Sequence, residues 1–532
     1  MLEFIYFFYF LASLILFSNA HEIHKQMTHE EVQQTFHTTR EDLPKYETVY
    51  LTHSPITTPP SYNRPHVKII SNDKIIKLYL EPDDGYLVGE NTPAWMVKSY
   101  PTSPQGLGYT KIRNPFATLI GTYHNIPNAA AFTVEKDEDG HYLFDGTIGQ
   151  NITIKPLPAR LRRAANIQHL QNQTQDQIHT HQHIMIKRSI QQKNIVQRLN
   201  FLKRIDMGKY STSNRQVPDI IYPKVLITMD FGLYNIIGKN RQQAVRYITS
   251  LMKGVDLRYR MFINPKIRFN IAGIIIALDK YAVPYLEESR LNDTLLDCDD
   301  ATFAMSNYFY KEDRFKQDFY DLAITLTSSD LSAMRNGSLK TTITGIAFLG
   351  VACQRDHRRH MALAVGIAED RGGYNGIITV AHEIGHMLGA RHDGSDFNTQ
   401  NCPQTKGFIM SSTVTRSRNV LSWSPCSVKL LYEFINQDSA RCLRVPPSNV
   451  GKILKTPLPG KSLTLDEQCL RTYGEDHKSC RATDPTVCFA LWCGFKNNTF
   501  CYSRIPPAEG SPCGENLICL NGHCLPDTPE FI

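Results

Sequence analysis

The stretch AHEIGHMLGARHDG (residues 381–394) brings three histidines close together in the sequence, at His382, His386 and His392. Residues four apart lie on the same face of an α-helix, so the first two imidazoles are expected to project side by side. Gly389 allows a backbone turn that a side chain would resist, and this turn would return His392 to the same point. The spacing therefore predicts three imidazoles around one ion.

A site of this kind suits a catalytic zinc ion. Three neutral imidazoles occupy three corners of a tetrahedron and leave the fourth for water, whereas structural zinc sites are closed and usually contain cysteine. Zinc lowers the pKa of water from about 15.7 to about 7, which produces a nucleophile at neutral pH. Glu383, which adjoins His382, is the candidate general base for this water. We therefore predict amide hydrolysis, with a structural zinc protein as the alternative.

The pattern extends beyond the helix. The three histidines, the glutamate and the glycine together match H-E-x-x-H-x-x-G-x-x-H, the metzincin signature. A metzincin also has a methionine turn beneath the metal. The segment GFIMSS (residues 407–412) supplies Met410, eighteen residues after His392. The combined spacing indicates a catalytic site more strongly than the short helix motif alone.

The composition fits a globular protein, since 42% of the 532 residues are apolar and 20% are charged. The net charge of +7 is small for this length, and no basic run is interleaved with aromatic residues, so we expect no nucleic-acid partner. After the first twenty residues, no stretch is long and apolar enough to span a membrane.

Residues 1–20 have the character of a signal peptide. The almost entirely apolar run FIYFFYFLASLILF (residues 4–17) is short for a membrane span and typical of a signal-peptide core. An N-terminal membrane anchor is the alternative. Glycosylation sequons are compatible with a secretory route and occur at Asn151, Asn172, Asn292, Asn336 and Asn497. We predict a secreted, extracellular protein.

The thirteen cysteines are unevenly distributed. None precedes Cys298, and eight lie in the last 64 residues. A short segment of a secreted chain that is so rich in cysteine is typical of a disulfide scaffold, because it cannot bury enough apolar surface alone.

The chain divides by composition. Several runs before residue 165 alternate apolar and polar residues, which predicts an independent, mostly β segment. A polar, Gln- and His-rich segment follows and is typical of a linker, although His179, His181 and His183 could also bind a metal. From residue 219 strand and helix patterns alternate, as in α/β proteins. The predicted organisation is signal peptide 1–20, prodomain 21–165, polar linker with processing region 166–218, zinc metalloprotease domain 219–445, linker 446–465 and cysteine-rich domain 466–532.

The segment RLRR (residues 160–163) matches the pattern that furin-like processing enzymes recognise, with Arg163 before the cut. Its position between the cysteine-free segment and the α/β pattern favours processing over an ordinary basic patch. Lys-Arg pairs at 187–188 and 203–204 are alternative sites.

The stretch VAHEIGHMLGARHDG (residues 380–394) resembles the reprolysin (adamalysin) branch of the metzincins, of which Asp393 is a marker. The resemblance covers about residues 220–445. It implies a catalytic domain with a mixed twisted sheet, helices, an active-site helix and a methionine turn, and one zinc ion. It also implies two disulfides, Cys353–Cys442 and Cys402–Cys426, the second of which brackets the turn.

The runs LWC, PPAEGSPCG and LICLNGHC (within residues 480–524) resemble the disintegrin-like domain of the ADAM-with-thrombospondin-motifs family. The build is also similar to that of tick salivary metalloproteases, which implies fibrinogen or matrix proteins as substrates. A binding protein that engages a cell-surface receptor through this domain is the competing hypothesis. The intact ligands and Glu383 favour the enzyme.

Three features depart from the family pattern. The prodomain has no cysteine that could bind the zinc, so its inhibition is expected to be steric. Cys298 has no evident partner, and is either a free buried thiol or an intermolecular link. Lys224 stands where relatives often carry a glutamate for a structural calcium, which leaves calcium in doubt.

Overall fold

A computed structural model describes the chain from residue 19 to residue 526 with gaps, the longest of which are 54–65, 163–179, 188–204 and 208–218. Residues 1–18, most of the predicted signal peptide, lie outside the described part. No helix among the described residues is long and apolar enough to cross a membrane. Three parts follow one another: the N-terminal region (19–187), the central domain (205–445) and the C-terminal region (453–526).

The N-terminal region is mostly β-structure, as its alternating sequence predicts. It begins with a 3₁₀ helix (Asn19–Gln26) and helix α1 (His29–Phe36). Its strands are β1 (Lys45–His53), β2 (His66–Ile70), β3 (Ile75–Tyr79), β4 (Glu81–Pro82), β5 (Val88–Gly89), β6 (Ala94–Ser99), β7 (Leu107–Lys111), β8 (Leu119–Asn125), β9 (Ala130–Lys136), β10 (Tyr142–Ile148), β11 (Ile152–Pro156) and β12 (Thr180–Lys187). Nine of them form an antiparallel sheet in the order β3-β2-β1-β12-β11-β10-β9-β8-β4.

Strand β12 corrects the prediction that residues 166–218 form a polar linker. It pairs with β1 on one side and β11 on the other, in the interior of the sheet. Ile184 and Ile186 are buried on one face against α1, while His183 and Met185 are buried with the opposite face. His183 accepts a hydrogen bond from the backbone N–H of Phe144 at 3.0 Å, so it belongs to the core. The polar composition concealed a short strand that is buried on both faces.

The central domain alternates strands and helices, as predicted. Its helices are α2 (Phe231–Ile236), α3 (Arg241–Tyr259), α4 (Pro284–Glu287), α5 (Cys298–Lys311), α6 (Ile377–Met387) and α7 (Pro425–Ile435), with 3₁₀ helices at Lys280–Ala282, Gln404–Lys406, Arg418–Leu421 and Asp438–Arg444. Its strands are β13 (Ile205–Asp206), β14 (Ile220–Ile221), β15 (Lys224–Met229), β16 (Phe262–Ile263), β17 (Lys266–Ile267), β18 (Asn270–Ala277), β19 (Leu295–Asp297), β20 (Leu322–Thr327), β21 (Asp330–Arg335), β22 (Ser338–Ile343), β23 (Gly345–Ala347), β24 (Arg355–Asp356), β25 (Met361–Ala362) and β26 (Val365–Glu369).

The main sheet has the order β23-β26-β20-β15-β18-β6-β7. Its interior pairs are parallel, and the end strands β23 and β7 are antiparallel to their neighbours. Helices α3, α6 and α7 share one apolar core with the sheet, and α5 packs in a second core. This sheet positions α6, the helix that carries the histidine motif.

The last two strands of this sheet, β6 and β7, come from the N-terminal region. The indole of Trp95 packs edge-on against Phe315 and Phe319, with ring centroids 5.1 and 5.9 Å apart. The hydroxyl groups of Tyr109 and Tyr308 are hydrogen-bonded at 2.6 Å. The predicted independence of residues 21–165 is therefore wrong, because this hairpin completes the central sheet. Local alternation reveals a strand but not a partner about 180 residues away.

The C-terminal region is held by disulfides. Its helices are α8 (Pro459–Ser462) and α9 (Leu465–Tyr473), and its strands are β27 (Ile453–Leu454), β28 (His477–Ser479), β29 (Cys493–Phe495), β30 (Pro512–Gly514), β31 (Leu517–Leu520) and β32 (His523–Pro526). Four disulfides join Cys469–Cys493, Cys480–Cys501, Cys488–Cys519 and Cys513–Cys524.

The predicted linker 446–465 is partly built into the fold, which corrects that prediction. Strand β27 pairs with β5 of the N-terminal region. Leu458 is buried in a cluster with Ile518, and Thr464 forms a capping box with Glu467 at the start of α9. The prolines and glycines of the segment suggested a free linker, but its buried leucines anchor it.

Candidate active site

Helix α6 is formed by its apolar spacing. Val380, Ile384 and Met387 are fully buried in the central core. Burial of this face leaves the other face of the helix, with His382 and His386, available for the site. The helix ends before Gly389, which has a φ of 95°. A Cβ atom at this position would lie 2.7 Å from Cβ of Phe434, so both the conformation and the space require glycine.

The turn brings the three predicted histidines together. Nε2 of His392 lies 3.1 Å from Nε2 of His382 and 3.1 Å from Nε2 of His386. Zinc–nitrogen bonds of about 2.0–2.1 Å in a tetrahedron place the ligand nitrogens about 3.3 Å apart. The three imidazoles therefore fit one zinc ion.

Backbone carbonyls orient two of these rings. Nδ1 of His382 donates to the carbonyl of Ile409 at 2.7 Å, and Nδ1 of His386 donates to the carbonyl of Ala390 at 2.8 Å. With Nδ1 protonated, each Nε2 keeps its lone pair for the centre of the cluster. Burial lowers the pKa of all three imidazoles, that of His386 to about 4. The rings are therefore neutral at physiological pH, as metal ligands must be.

Glu383 is buried on the same helix, with 4% of its surface exposed. Burial raises the pKa of its carboxyl group well above the ordinary value. Its Oε2 atom has no hydrogen-bond partner among the described residues. A buried carboxylate oxygen without a partner is costly, so it marks a position where function is expected to outweigh stability.

The carboxylate of Glu383 abuts Gly345, a residue that the sequence analysis missed. A Cβ atom on Gly345 would lie 2.5 Å from Oε1 of Glu383 and 2.6 Å from the side chain of Thr379. Gly345 opens β23, the end strand of the sheet. A glycine within a strand often marks a close approach of this kind, and this was the available signal.

Gly345→Ala is expected to displace the Glu383 carboxylate while leaving the histidine cluster intact. We predict a fall of about 10-fold or more in kcat, since misplacement of a catalytic group by about 1 Å can cost 10²-fold. The zinc content should remain that of the wild type. Steady-state kinetics with metal analysis checks this, and Ser338→Ala, at an exposed position of strand β22, is the control that should retain the wild-type kcat. Wild-type kcat in Gly345→Ala would contradict the proposed crowding.

Met410 packs against the histidine helix at Gly385 and is completely buried. Its carbonyl accepts a hydrogen bond from the backbone N–H of Asp393 at 2.9 Å. A Cβ atom at Gly385 would lie 2.8 Å from Sδ of Met410 and 3.0 Å from the indole of Trp423. The turn therefore packs directly against the helix that carries the histidines, and Gly385 makes this approach feasible.

Asp393 links the third histidine to the following helix. Its Oδ1 atom accepts hydrogen bonds from the hydroxyls of Ser424 at 2.6 Å and Ser427 at 3.4 Å. Ser424 is also the N-cap of α7 and accepts from the backbone N–H of Ser427. The sequence identified Asp393 as a marker, whereas both serines were missed. The S-x-x-S spacing at a helix start was a usable signal.

The structure joins Cys353 to Cys442 and Cys402 to Cys426, the pairs that the resemblance implies. Cys298 is buried at the start of α5 and forms no disulfide, and burial raises the pKa of its thiol to about 12. The predicted processing residue Arg163 lies outside the described residues.

Two family models match the chain. The reprolysin model of metallo-peptidase family M12 matches residues 224–424, and ADAMTS cysteine-rich domain 2 matches residues 459–525. A silk moth (Bombyx mori) protein, "A disintegrin and metalloproteinase with thrombospondin motifs like", is 31% identical over 504 residues, which cover 86% of this chain and 72% of that protein. The chain belongs to this ADAMTS-like family.

Mammalian relatives match over shorter stretches. Rat "A disintegrin and metalloproteinase with thrombospondin motifs 7" is 34% identical over 40% of this chain and 13% of its own length. Human "A disintegrin and metalloproteinase with thrombospondin motifs 8" is 28% identical over 60% of this chain and 35% of its own length. The chain thus spans about a third or less of these two relatives. None of the three gives support to the likeness with tick salivary enzymes.

These matches confirm three predictions. The chain is a reprolysin-type zinc metalloendopeptidase, its central domain has the mixed α/β metzincin fold, and a mostly β region and a disulfide-rich region flank that domain. The C-terminal match carries the description of a cysteine-rich domain, where the sequence analysis predicted a cysteine-rich domain of disintegrin-like type.

Proposed function

We propose that the protein is a secreted endopeptidase, made as a zymogen, that hydrolyses peptide bonds of extracellular proteins. His382, His386 and His392 hold the zinc ion, and Glu383 is the general base. One observation carries the proposal: Nε2 of His392 lies 3.1 Å from Nε2 of His382 and of His386, two residues of a helix that also carries a buried carboxylate with an unpartnered oxygen among the described residues.

When bound, zinc supplies Lewis acidity, which lowers the pKa of water and polarises the substrate carbonyl. Glu383 accepts a proton from the attacking water and passes it to the leaving amine. Ile409 and Ala390 keep two of the rings in the tautomer that leaves Nε2 free.

Strand β23 provides a surface for the substrate. It pairs with β26 on one side and stands at the end of the described sheet, so its other edge presents free backbone groups. An extended peptide can add to such an edge by main-chain hydrogen bonds. Because Gly345 of this strand is next to Glu383, the scissile bond would pass the general base.

The substrates that we propose are matrix or plasma proteins such as fibrinogen. The test is incubation of the secreted, processed chain with fibrinogen and gelatin, with a zinc chelator and after restoration of zinc. Cleavage that stops with the chelator and resumes with zinc supports the proposal. If zinc-loaded protein cleaves nothing in a broad peptide library, the proposed activity fails and receptor binding by the C-terminal region becomes the leading function.

The position of strand β12 in the sheet favours one of the candidate processing sites over the others. A cut after Arg163 falls between β11 and β12, which are neighbours in one sheet, so the N-terminal sheet would remain attached. The pair at 203–204 lies beyond β12 and just before β13, which pairs with β16 of the central domain. We therefore predict that the processed catalytic chain begins at Ile205, while β6 and β7 keep the cleaved N-terminal region bound to the central sheet. N-terminal sequencing, which should find both chains, checks this. Release of the N-terminal region by a cut at Arg163 alone would contradict it.

Lys224 is the residue that leaves the structural calcium site in doubt. Its Nζ lies 3.3 Å from Oδ1 of Asp321, a carboxylate with no exposed surface, and donates to the carbonyl of Asp318 at 3.4 Å. We propose that this ammonium group supplies the positive charge here, so that folding requires no calcium at this position.

Melting curves in calcium and in EGTA should therefore coincide. Lys224→Met should lower the free energy of unfolding by about 3 kcal/mol, because it leaves the buried Asp321 carboxylate unpaired. Lys340→Met, on the exposed strand β22, is the control and should change little. A higher melting temperature in calcium would contradict the proposal that the Lys224 ammonium group takes the place of a calcium ion.

A further inference from the structure

A buried ion pair joins the C-terminal region to the central domain. The guanidinium of Arg258, at the end of α3, contacts the carboxylate of Glu509, and the two side chains are 0% and 5% exposed. Glu509 also accepts hydrogen bonds from the backbone N–H of Asn521 at 3.1 and 3.0 Å. A charge pair so fully removed from water requires well-ordered surroundings on both sides of the interface.

Arg258 also holds the chain segment that follows the methionine turn. Its Nη1 donates to the carbonyl of Leu421 at 3.2 Å, and its own carbonyl accepts from Nε1 of Trp423 at 2.8 Å. Trp423 is buried against Tyr259, with ring centroids 4.8 Å apart. Arg258 therefore fixes two points of the segment between the methionine turn and α7.

This segment continues to the histidine cluster. The backbone N–H of Ile409 donates to the carbonyl of Ser422 at 2.9 Å, and the carbonyl of Ile409 accepts from Nδ1 of His382 at 2.7 Å. The contacts thus run without a break from Glu509 through Arg258, the 421–423 backbone and Ile409 to the first histidine.

Two further arginines attach the same segment to the C-terminal region. The guanidinium of Arg416 lies 5.0 Å from the ring centroid of Trp492, and that of Arg418 lies 5.3 Å from the ring centroid of Phe489. Arg418 also donates to the carbonyl of Gly522 at 3.1 Å. The C-terminal region therefore contacts the segment at several points, and the Arg258–Glu509 pair is the buried one.

We propose that Arg258 and Glu509 are positioning residues through which docking of the C-terminal region sets the methionine turn and the orientation of His382. The inference rests on the proposed role of His382 as a zinc ligand. It gives the C-terminal region a part in the reaction itself, in addition to any contact with substrates or receptors.

The test is zinc release from the full processed chain, measured with a chromogenic chelator, together with kcat and KM for a short peptide. Glu509→Gln preserves the shape of the side chain but removes its charge. We expect zinc to leave about 10-fold faster and kcat to fall by a similar factor, since loss of a partner that orients a ligand usually costs 10–100-fold. KM should change less, because neither Arg258 nor Glu509 belongs to β23, the strand proposed to bind the substrate.

Two variants separate positioning from general damage. Glu509→Asp retains the charge and should restore much of the wild-type zinc retention. Asp466→Asn is the matched control, because Asp466 is an acid of the same region whose described hydrogen bonds go to Ser479. It should release zinc at the wild-type rate.

Should Glu509→Gln not be secreted, Arg258→Lys offers a second route, because lysine keeps the charge but cannot bridge Glu509 and Leu421. It should also accelerate zinc release. If a folded Glu509→Gln or Arg258→Lys variant releases zinc at the wild-type rate with unchanged kcat, the coupling is wrong. If the wild type itself binds no zinc, the proposed function fails instead, and the two failures are distinguishable.

Discussion

Replacement of Glu383 by glutamine is expected to reduce kcat/KM for peptide hydrolysis by about 10³-fold. General acid–base catalysis typically contributes 10²–10⁴-fold, and glutamine retains the shape of glutamate but cannot accept the proton. Glu383 is the described acid that lies both on the histidine helix and against the edge strand β23. Substrate binding should change little, so the loss should appear in kcat.

Metal analysis and circular dichroism accompany the kinetics, because zinc content and fold should equal those of the wild type. Glu433→Gln makes the same change at an exposed position of α7 and should retain full activity. Substantial hydrolysis by zinc-loaded Glu383→Gln would show that another group accepts the proton, and the assignment of the base would be wrong.

The largest structural effect is expected from removal of the β6–β7 hairpin. In the described fold β6 covers the edge of β18, and the side chain and backbone of Ser99 donate to Asp279 at 2.7 and 2.9 Å. Without the hairpin, an apolar parallel strand presents an open edge, which invites aggregation. Loss of Trp95 would also uncover the rings of Phe315 and Phe319, against which it packs.

A chain that replaces residues 94–111 by a short Gly/Ser linker should be secreted in soluble form at less than about a tenth of the wild-type yield, because a loss of a few kcal/mol of stability changes abundance several-fold or more. The linker removes the fully buried side chains of Ala94 and Val97 and the partly buried indole of Trp95. Tyr100→Ala, at an exposed residue of the connection between β6 and β7, should be secreted normally. Secretion of the hairpin-deleted chain at wild-type yield would mean that the central sheet folds without its N-terminal strands.

The active site was predictable because its information is local. The spacing of His382, His386 and His392 fixes a helix and a turn within eleven residues, and the structure brings their Nε2 atoms together. The α/β pattern of the central domain was predictable for a related reason. In each strand and helix there, the apolar residues repeat at the spacing typical of that element.

The contacts between distant segments were not predictable in this way. Strand β6 pairs with a strand about 180 residues later, and β12 has the composition of a linker although both its faces are buried. Neither Gly345 nor Glu509 belongs to a motif, since each acts through a neighbour that only the folded chain provides. Local sequence patterns predicted what each segment forms, and the tertiary fold determined what it touches.

The central claim is that His382, His386 and His392 hold one zinc ion. Metal analysis of the purified, processed chain tests it most directly, beside a His392→Ala variant and a Met410→Leu variant that should leave all three ligands in place. We predict about one zinc per chain in the wild type and in Met410→Leu, and a large loss in folded His392→Ala, because one of the three protein ligands of the tetrahedral site is removed. A wild type without zinc, or a His392→Ala variant that binds zinc as tightly as the wild type, would contradict the account.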